Sequence, residues 1–292
     1  MRARLVFILI LVLAGVLTAQ TIPVTNNNVL QRRSFVYREV DGQKLNAYVF
    51  QSPGENSGKP TAAVLLFHGG GWVAGKAGWT SREARRFAAL GLTAVTVDYR
   101  LSAGTITPIK ALDDTRAAFR WMRRYAVELN IDPRRVAGYG VSAGGYLVAA
   151  AATLSLSGDG IDGTSSKPDL LLLWSPALDV AANRRFVKLL QGRASAADYS
   201  PLEHAGASTP PTCIVNGDKD RVTPLAKAEQ FRDRVVQAGG ICELHAYAGV
   251  GHLLPRNLAN QGDNFDPDPK SKEAGLAQFE LFLRARGYLP GK

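Results

Sequence analysis

The sequence is poor in cysteine, methionine and histidine: two, two and four residues respectively among 292. Cys213 and Cys242 alone make no disulfide framework for a chain of this length. His68, His204, His245 and His252 show no HExxH or other close ligand spacing, so no metal is expected. The net charge is +10, yet no cationic run exceeds two residues. Arg32-Arg33, Arg85-Arg86, Arg123-Arg124, Arg134-Arg135 and Arg184-Arg185 are scattered along the chain. Spread this way, the charge describes a solvated basic surface, and no nucleic-acid partner is expected. There is no internal repeat. Hydrophobic residues at 46% and charged residues at 21% exclude a disordered chain, a collagen and a polytopic membrane protein.

One long apolar run exists, Leu5 to Leu17, behind Arg2 and Arg4 and ahead of Leu17-Thr18-Ala19. A basic start, a short apolar stretch and a small residue at the cleavage point are the layout of a secretory signal peptide. The run falls short of the ~20 residues of a membrane span. Residues 1–19 are therefore expected to be a signal peptide and 20–292 one domain, secreted or periplasmic, without stable membrane anchoring. Both cysteines fall at the starts of strand-like runs. If those strands are neighbours a bridge is possible; the alternative is two buried thiols.

Phe35–Val40 and Leu45–Phe50 flank Asp41-Gly42, which suits a two-residue hairpin turn. After the loop from Pro53 to Pro60, apolar strands alternate with helical stretches. The strands are Ala62–Phe67, Thr93–Val97, Val136–Gly140, Leu170–Trp174, Thr212–Val215 and Ile241–Tyr247. The helices are about Ser81–Leu90, Ile109–Leu129, Ala143–Thr153, Asn183–Leu190, Leu225–Ala238 and Ser271–Arg286. Continuously apolar strands are buried on both faces, as in parallel sheets covered by helices. The alternation predicts a doubly wound α/β domain. Residues 177–205 break it and read as a small lid.

The chemistry-bearing residues sit at strand ends. Gly140-Val141-Ser142-Ala143-Gly144 lies between a strand and a helix, the G-x-S-x-G pattern. A serine on so tight a turn needs small neighbours, and the helix start offers free N–H groups to a developing oxyanion. His68-Gly69-Gly70-Gly71-Trp72 follows another strand, and its glycines leave backbone N–H groups open. This glycine loop is neither followed by Gly-Lys-Ser/Thr nor itself G-x-G-x-x-G, so no nucleotide cofactor is expected. His68 reads as a residue that holds this loop in place. A serine hydroxyl needs a base. Only His252 occupies a short turn after a late strand, because His245 lies within a strand and His204 in the lid segment. The base needs an orienting carboxylate. Asp220, after the strand at 212–215, is preferred and Asp218 competes. Ser142, Asp220, His252 is the chain order expected for such a site.

From Phe35 onward the chain resembles the α/β-hydrolase superfamily, in particular HGGGW-bearing esterases near the hormone-sensitive lipase and BD-FAE (carbohydrate acyl esterase) families. The likeness includes Asp98-Tyr99-Arg100-Leu101, Ile131-Asp132-Pro133 and the spacing Gly217, Asp220, Pro224. It implies an α/β-hydrolase fold with a mostly parallel sheet of about eight strands. It implies Ser142 as nucleophile, His252 as base and Asp220 as orienter, with the amides of Gly70, Gly71 and Ala143 as oxyanion hole. It implies a serine esterase without cofactor. The short segment before the first strand departs from the larger cap of hormone-sensitive lipase relatives. That departure suggests an open site for bulky alcohols such as sugars, hence acetyl or feruloyl esters of carbohydrate. Trp72, Trp79 and Trp174 are candidates to line the substrate surface, Trp72 first. Two rivals stand: a serine peptidase of prolyl-oligopeptidase type and a non-catalytic binding module.

Overall fold

The computed structural model describes residues 31–52, 59–155, 163–263 and 265–289. The expected signal peptide lies outside them. Eight strands form one sheet: β1 (Gln31–Val40), β2 (Gln43–Gln51), β3 (Thr61–Phe67), β4 (Thr93–Val97), β5 (Ile131–Val141), β6 (Leu170–Trp174), β7 (Thr212–Gly217) and β8 (Cys242–Tyr247). Their order is β1-β2-β4-β3-β5-β6-β7-β8. β1 and β2 run antiparallel to their neighbours, and the remaining pairings are parallel. The hairpin closes through Asp41 and Gly42, both at positive φ (51° and 72°), as a two-residue turn with the right twist requires.

The helices are α1 (Ser81–Ala89), α2 (Pro108–Arg124), α3 (Ala126–Leu129), α4 (Ala143–Thr153), α5 (Arg184–Leu190), α6 (Leu225–Gln237) and α7 (Pro269–Ala285). Side chains alternate between the two faces of each strand. Leu65, Phe67 and Ile214 join a core layer with residues of α2, α4 and α6. Val64, Leu66 and Val215 join a second layer with α1 and α7. Both faces of the central strands β3 and β6 are thus dry, which is why these two run apolar at successive positions rather than at alternate ones. The helix expected over 109–129 is two helices. Tyr125 (φ −93°, ψ 19°) leaves helical geometry between them, and left-handed Asn130 ends the second. β5 starts five residues earlier than expected, because Ile131 pairs with Thr61 across a register shift.

β7 and β8 are neighbours, yet Cys213 and Cys242 are not bridged. Cys242 pairs in register with Thr212, not Cys213. The two thiols therefore point into opposite core layers. Burial pushes both thiols up, Cys242 to about 12. Among the described residues, no helix is long and apolar enough to cross a membrane.

Candidate active site

The parallel strands end together along one rim, and the loops after β3, β5, β6, β7 and β8 meet there. Ser142 is the hinge between β5 and α4, at φ 54° and ψ −113°. Such a conformation costs a non-glycine residue on the order of 1–3 kcal/mol and persists only where the surroundings impose it. Here the Ser142 N–H donates to Trp174 O at 2.9 Å, and the Ser142 carbonyl accepts from Tyr146 and Ala177. Gly144 must lack a side chain, since a Cβ there would strike the Phe67 carbonyl. α4 can therefore start hard against the end of β3.

Ser142 Oγ lies 3.0 Å from His252 Nε2, and His252 Nδ1 lies 2.9 Å from Asp220 Oδ2. With Nδ1–H donated to the carboxylate, Nε2 is left to accept the serine proton. All three residues are buried to within 9% of full exclusion. Asp218 is elsewhere: its Oδ1 accepts the Gly249 N–H, so it braces the loop leading to His252. His204 is exposed in a turn and His245 lies in β8, away from Ser142.

Four residues that the sequence motifs did not mark complete the constellation. The Val222 and Thr223 amides both donate to Asp220 Oδ1, at 2.9 and 2.7 Å. The Thr223 hydroxyl donates to Asp220 Oδ2 at 2.8 Å and stands 3.1 Å from His252 Nδ1. Aspartate accepting from residues two and three positions ahead is a local turn habit, and that was the available sequence signal. Ser175, at φ 44°, accepts the Leu253 N–H on its Oγ. Gln261 joins the acid loop to the base loop. Its Oε1 accepts from His252 N and Arg221 N, and its Nε2 donates to Lys219 O. No local pattern marks a glutamine in a polar loop for that position.

The glycine loop after β3 lies against the serine: a Cβ built on Gly69 would stand 3.3 Å from Ser142 Cβ. Gly70 takes φ 109°, open to glycine alone. The Gly70 and Gly71 amides have no backbone acceptor among the described residues, and Ala143 N–H opens α4, where no intrahelical partner exists. His68 anchors the loop. Its ring stacks on Tyr99 at 4.3 Å, and the Tyr99 hydroxyl donates to the His68 carbonyl at 2.8 Å. Burial lowers the His68 pKa, against a hydrogen bond to the Gly69 carbonyl and the charge of Asp98, which raise it. The next residue, Arg100, forks onto buried Asp114 at 2.8 and 2.9 Å. The Asp-Tyr-Arg segment thus bolts the glycine loop to the fold.

The rim opens into a cleft of about 910 Å³ that takes in Ser142, His252, Gly70, Gly71 and Ala143. Trp72 forms its floor; it is only 2% exposed and packs edge-on against Tyr146 and Phe186. Trp174 is buried against Phe279. Trp79 is half-exposed and faces Phe265, so this pair is the aromatic surface open to a ligand. Arg185 of α5 reaches over Gly71 at the mouth.

Comparison with known proteins agrees with this architecture. A family model described as the alpha/beta hydrolase fold matches residues 64–255. A probable isoprenylcysteine alpha-carbonyl methylesterase of Oryza sativa is 27% identical over 246 residues, covering 75% of this chain and 56% of the rice protein. A carboxylesterase of Mycobacterium tuberculosis is 40% identical over 117 residues, covering 39% of this chain and 34% of its own length. The matches thus span about a third to just over half of these curated relatives. Esterase 2 of Thermogutta terrifontis, solved with butyrate bound, superposes with a TM-score of 0.79 at 26% identity, covering 89% of this chain and 96% of that one. With strand order, the strand-to-helix turn at Ser142 and the family model in agreement, this chain belongs to the alpha/beta hydrolase fold family.

Proposed function

We propose that this chain is a serine carboxylic-ester hydrolase acting on short-acyl esters. The observation that carries the reading is the unbroken contact chain from Ser142 Oγ through His252 to Asp220, set in an open cleft beside amides that have no backbone acceptor among the described residues. Ser142 Oγ attacks the ester carbonyl as its proton passes to His252 Nε2. The carbonyl oxygen becomes an oxyanion, held by the amides of Gly70, Gly71 and Ala143; one such donor is worth roughly 10²–10³ in turnover. The C–O bond to the alcohol breaks, and His252 gives that oxygen its proton. Water then attacks the acyl-serine with His252 again as base, releasing the acid and restoring Ser142. Asp220 keeps the imidazole in the tautomer this cycle needs.

The short-acyl reading draws on the butyrate seen in the Thermogutta esterase. The half-exposed Trp79–Phe265 pair supports a carbohydrate alcohol, because sugars stack on open aromatic faces; acetyl or feruloyl groups are the acyl parts in view. Residues 177–205, with Arg185 at the mouth, act as the lid in this reading. The N-terminal pattern supports export, and cell fractionation of the tagged full chain tests it.

The test is an ester panel from acetate to laurate, with acetylated xylan and a feruloyl sugar ester included. The expected result is highest kcat/KM at two to four carbons, on the order of 10⁶ lower turnover in Ser142→Ala, and labelling of Ser142 by a fluorophosphonate. A flat response across acyl lengths removes the short-acyl reading. Faster cleavage of an aminopeptidase-type anilide than of the esters makes the protein a peptidase. Inertness to the fluorophosphonate makes it a binding module.

A further inference from the structure

Away from the cleft, three side chains with ligand atoms meet at the β8 edge of the sheet. Cys213 on β7 and Glu243 on β8 are register partners, and His245 lies two residues further along β8. Residues two apart on a strand share a face, so all three leave the sheet on the side of the α7 core layer, to which Cys213 belongs. The sulfur, a carboxylate oxygen and an imidazole nitrogen all lie within 4.8 Å of one another.

The details of the cluster favour a cation. His245 Nε2 is shielded from solvent and makes no hydrogen bond, although Glu243 Oε2 stands 3.5 Å away. A buried ring nitrogen without a partner is costly, and its presence calls for an explanation. The second Glu243 oxygen, Oε1, faces Arg286 Nη2 at 4.0 Å, so Arg286 leaves Oε2 and the imidazole to each other. The donors are one sulfur, one nitrogen and one oxygen. Magnesium and calcium take all-oxygen shells, whereas zinc accepts this set in tetrahedral geometry. A thiolate, a carboxylate and a neutral imidazole around a divalent ion sum to zero charge, which suits a half-buried site. The His245 and Glu243 side chains keep 28% and 46% exposure, so the cluster is reached from solvent.

We propose that Cys213, Glu243 and His245 form a binding site for a divalent transition-metal ion of the zinc type, which clasps edge strand β8 to β7. On binding, the Cys213 S–H gives its proton to water and the sulfur lone pair goes to the metal; no oxidation state changes. None of the three ligands lines the cleft at Ser142, so the site is read out without reference to ester hydrolysis.

The full chain, stripped with a chelator, is titrated with zinc against a chromophoric competitor and with cobalt(II) by absorption. One equivalent binds, cobalt produces a thiolate charge-transfer band and tetrahedral visible bands, and zinc raises Tm. His245→Ala, at a part-exposed position, weakens zinc at least about tenfold, since even an outer partner of a ligand is worth 10–100-fold. Cys213→Ser removes the charge-transfer band. Cys242→Ser, facing the other core layer, leaves both signals in place. Undiminished binding in His245→Ala, or cobalt binding without a thiolate band, overturns the proposal. So does loss of the metal in His252→Ala, which would put the ion at the serine site instead.

Discussion

Replacing Gln261 with alanine will damage both stability and turnover, although Gln261 touches no reacting atom. Its side chain is 5% exposed and makes three hydrogen bonds to backbone, at His252 N, Arg221 N and Lys219 O. Truncation strands all three groups. An unpaired buried group costs about 1–3 kcal/mol, and water can reach the one beside exposed Arg221, so the expected loss is about 3 kcal/mol. For a chain of this size that lowers Tm by about 5–10 °C. The same bonds tie the loop of Asp220 to the loop of His252. A misplacement of about 1 Å costs on the order of 10² in rate, so kcat falls by about 10–100-fold while KM moves little. Gln261→Glu keeps the acceptor for His252 N and Arg221 N but loses the donor to Lys219, and should fall between wild type and alanine. Calorimetry and steady-state kinetics on p-nitrophenyl butyrate measure both effects. Tm within about 1 °C of wild type, with kcat within twofold, would refute the tether.

Asp220→Asn should lower kcat by about 10⁴ without large loss of Tm, because the amide favours the wrong imidazole tautomer; a drop below tenfold would move the orienting role to another group. Phe186→Ala empties a fully buried site between Trp72 and Tyr146. It should cost about 3–5 kcal/mol by denaturant titration and raise KM more than it lowers kcat, because α5 loses its anchor above the cleft. Asp268 caps α7, and its carboxyl is held at about 2 by hydrogen bonds from Ser271 and Arg256. A folded pKa below the unfolded value of about 3.9 stabilises fully above that value and fades as pH falls towards the folded one. The stability gap between wild type and Asp268→Asn should therefore be level above about pH 5 and close between about pH 4 and 2. A gap that persists unchanged to pH 2 would exclude the linkage.

Much of the fold was legible because its signals are local. β4, β6 and α4 occupy the ranges predicted for them, since an element buried on all sides has no exposed position to blur its ends. The hairpin followed from Asp41-Gly42, whose paired positive φ values few other dipeptides adopt at low cost. The break at Tyr125 was not legible: it is a departure of one residue from helical geometry, and nothing in the apolar periodicity marks it. The early start of β5 depends on Thr61 lying alongside Ile131, a pairing across 70 positions that no window contains.

The sequence by itself determined where a hydroxyl, an imidazole and a carboxylate could stand at strand ends, because small residues at a strand-to-helix turn and glycine-rich turns are requirements written within a few positions. It also set the layer architecture, through apolar residues at successive positions of the central strands. Only the tertiary structure decided which acid faces His252, that Trp72 is floor and Trp79 is surface, and that Cys213 and Cys242 look away from each other. Gln261 and Thr223 found their partners in the same way. These outcomes turn on strand register and on which loops share a rim, and both are set by contacts between residues far apart along the chain.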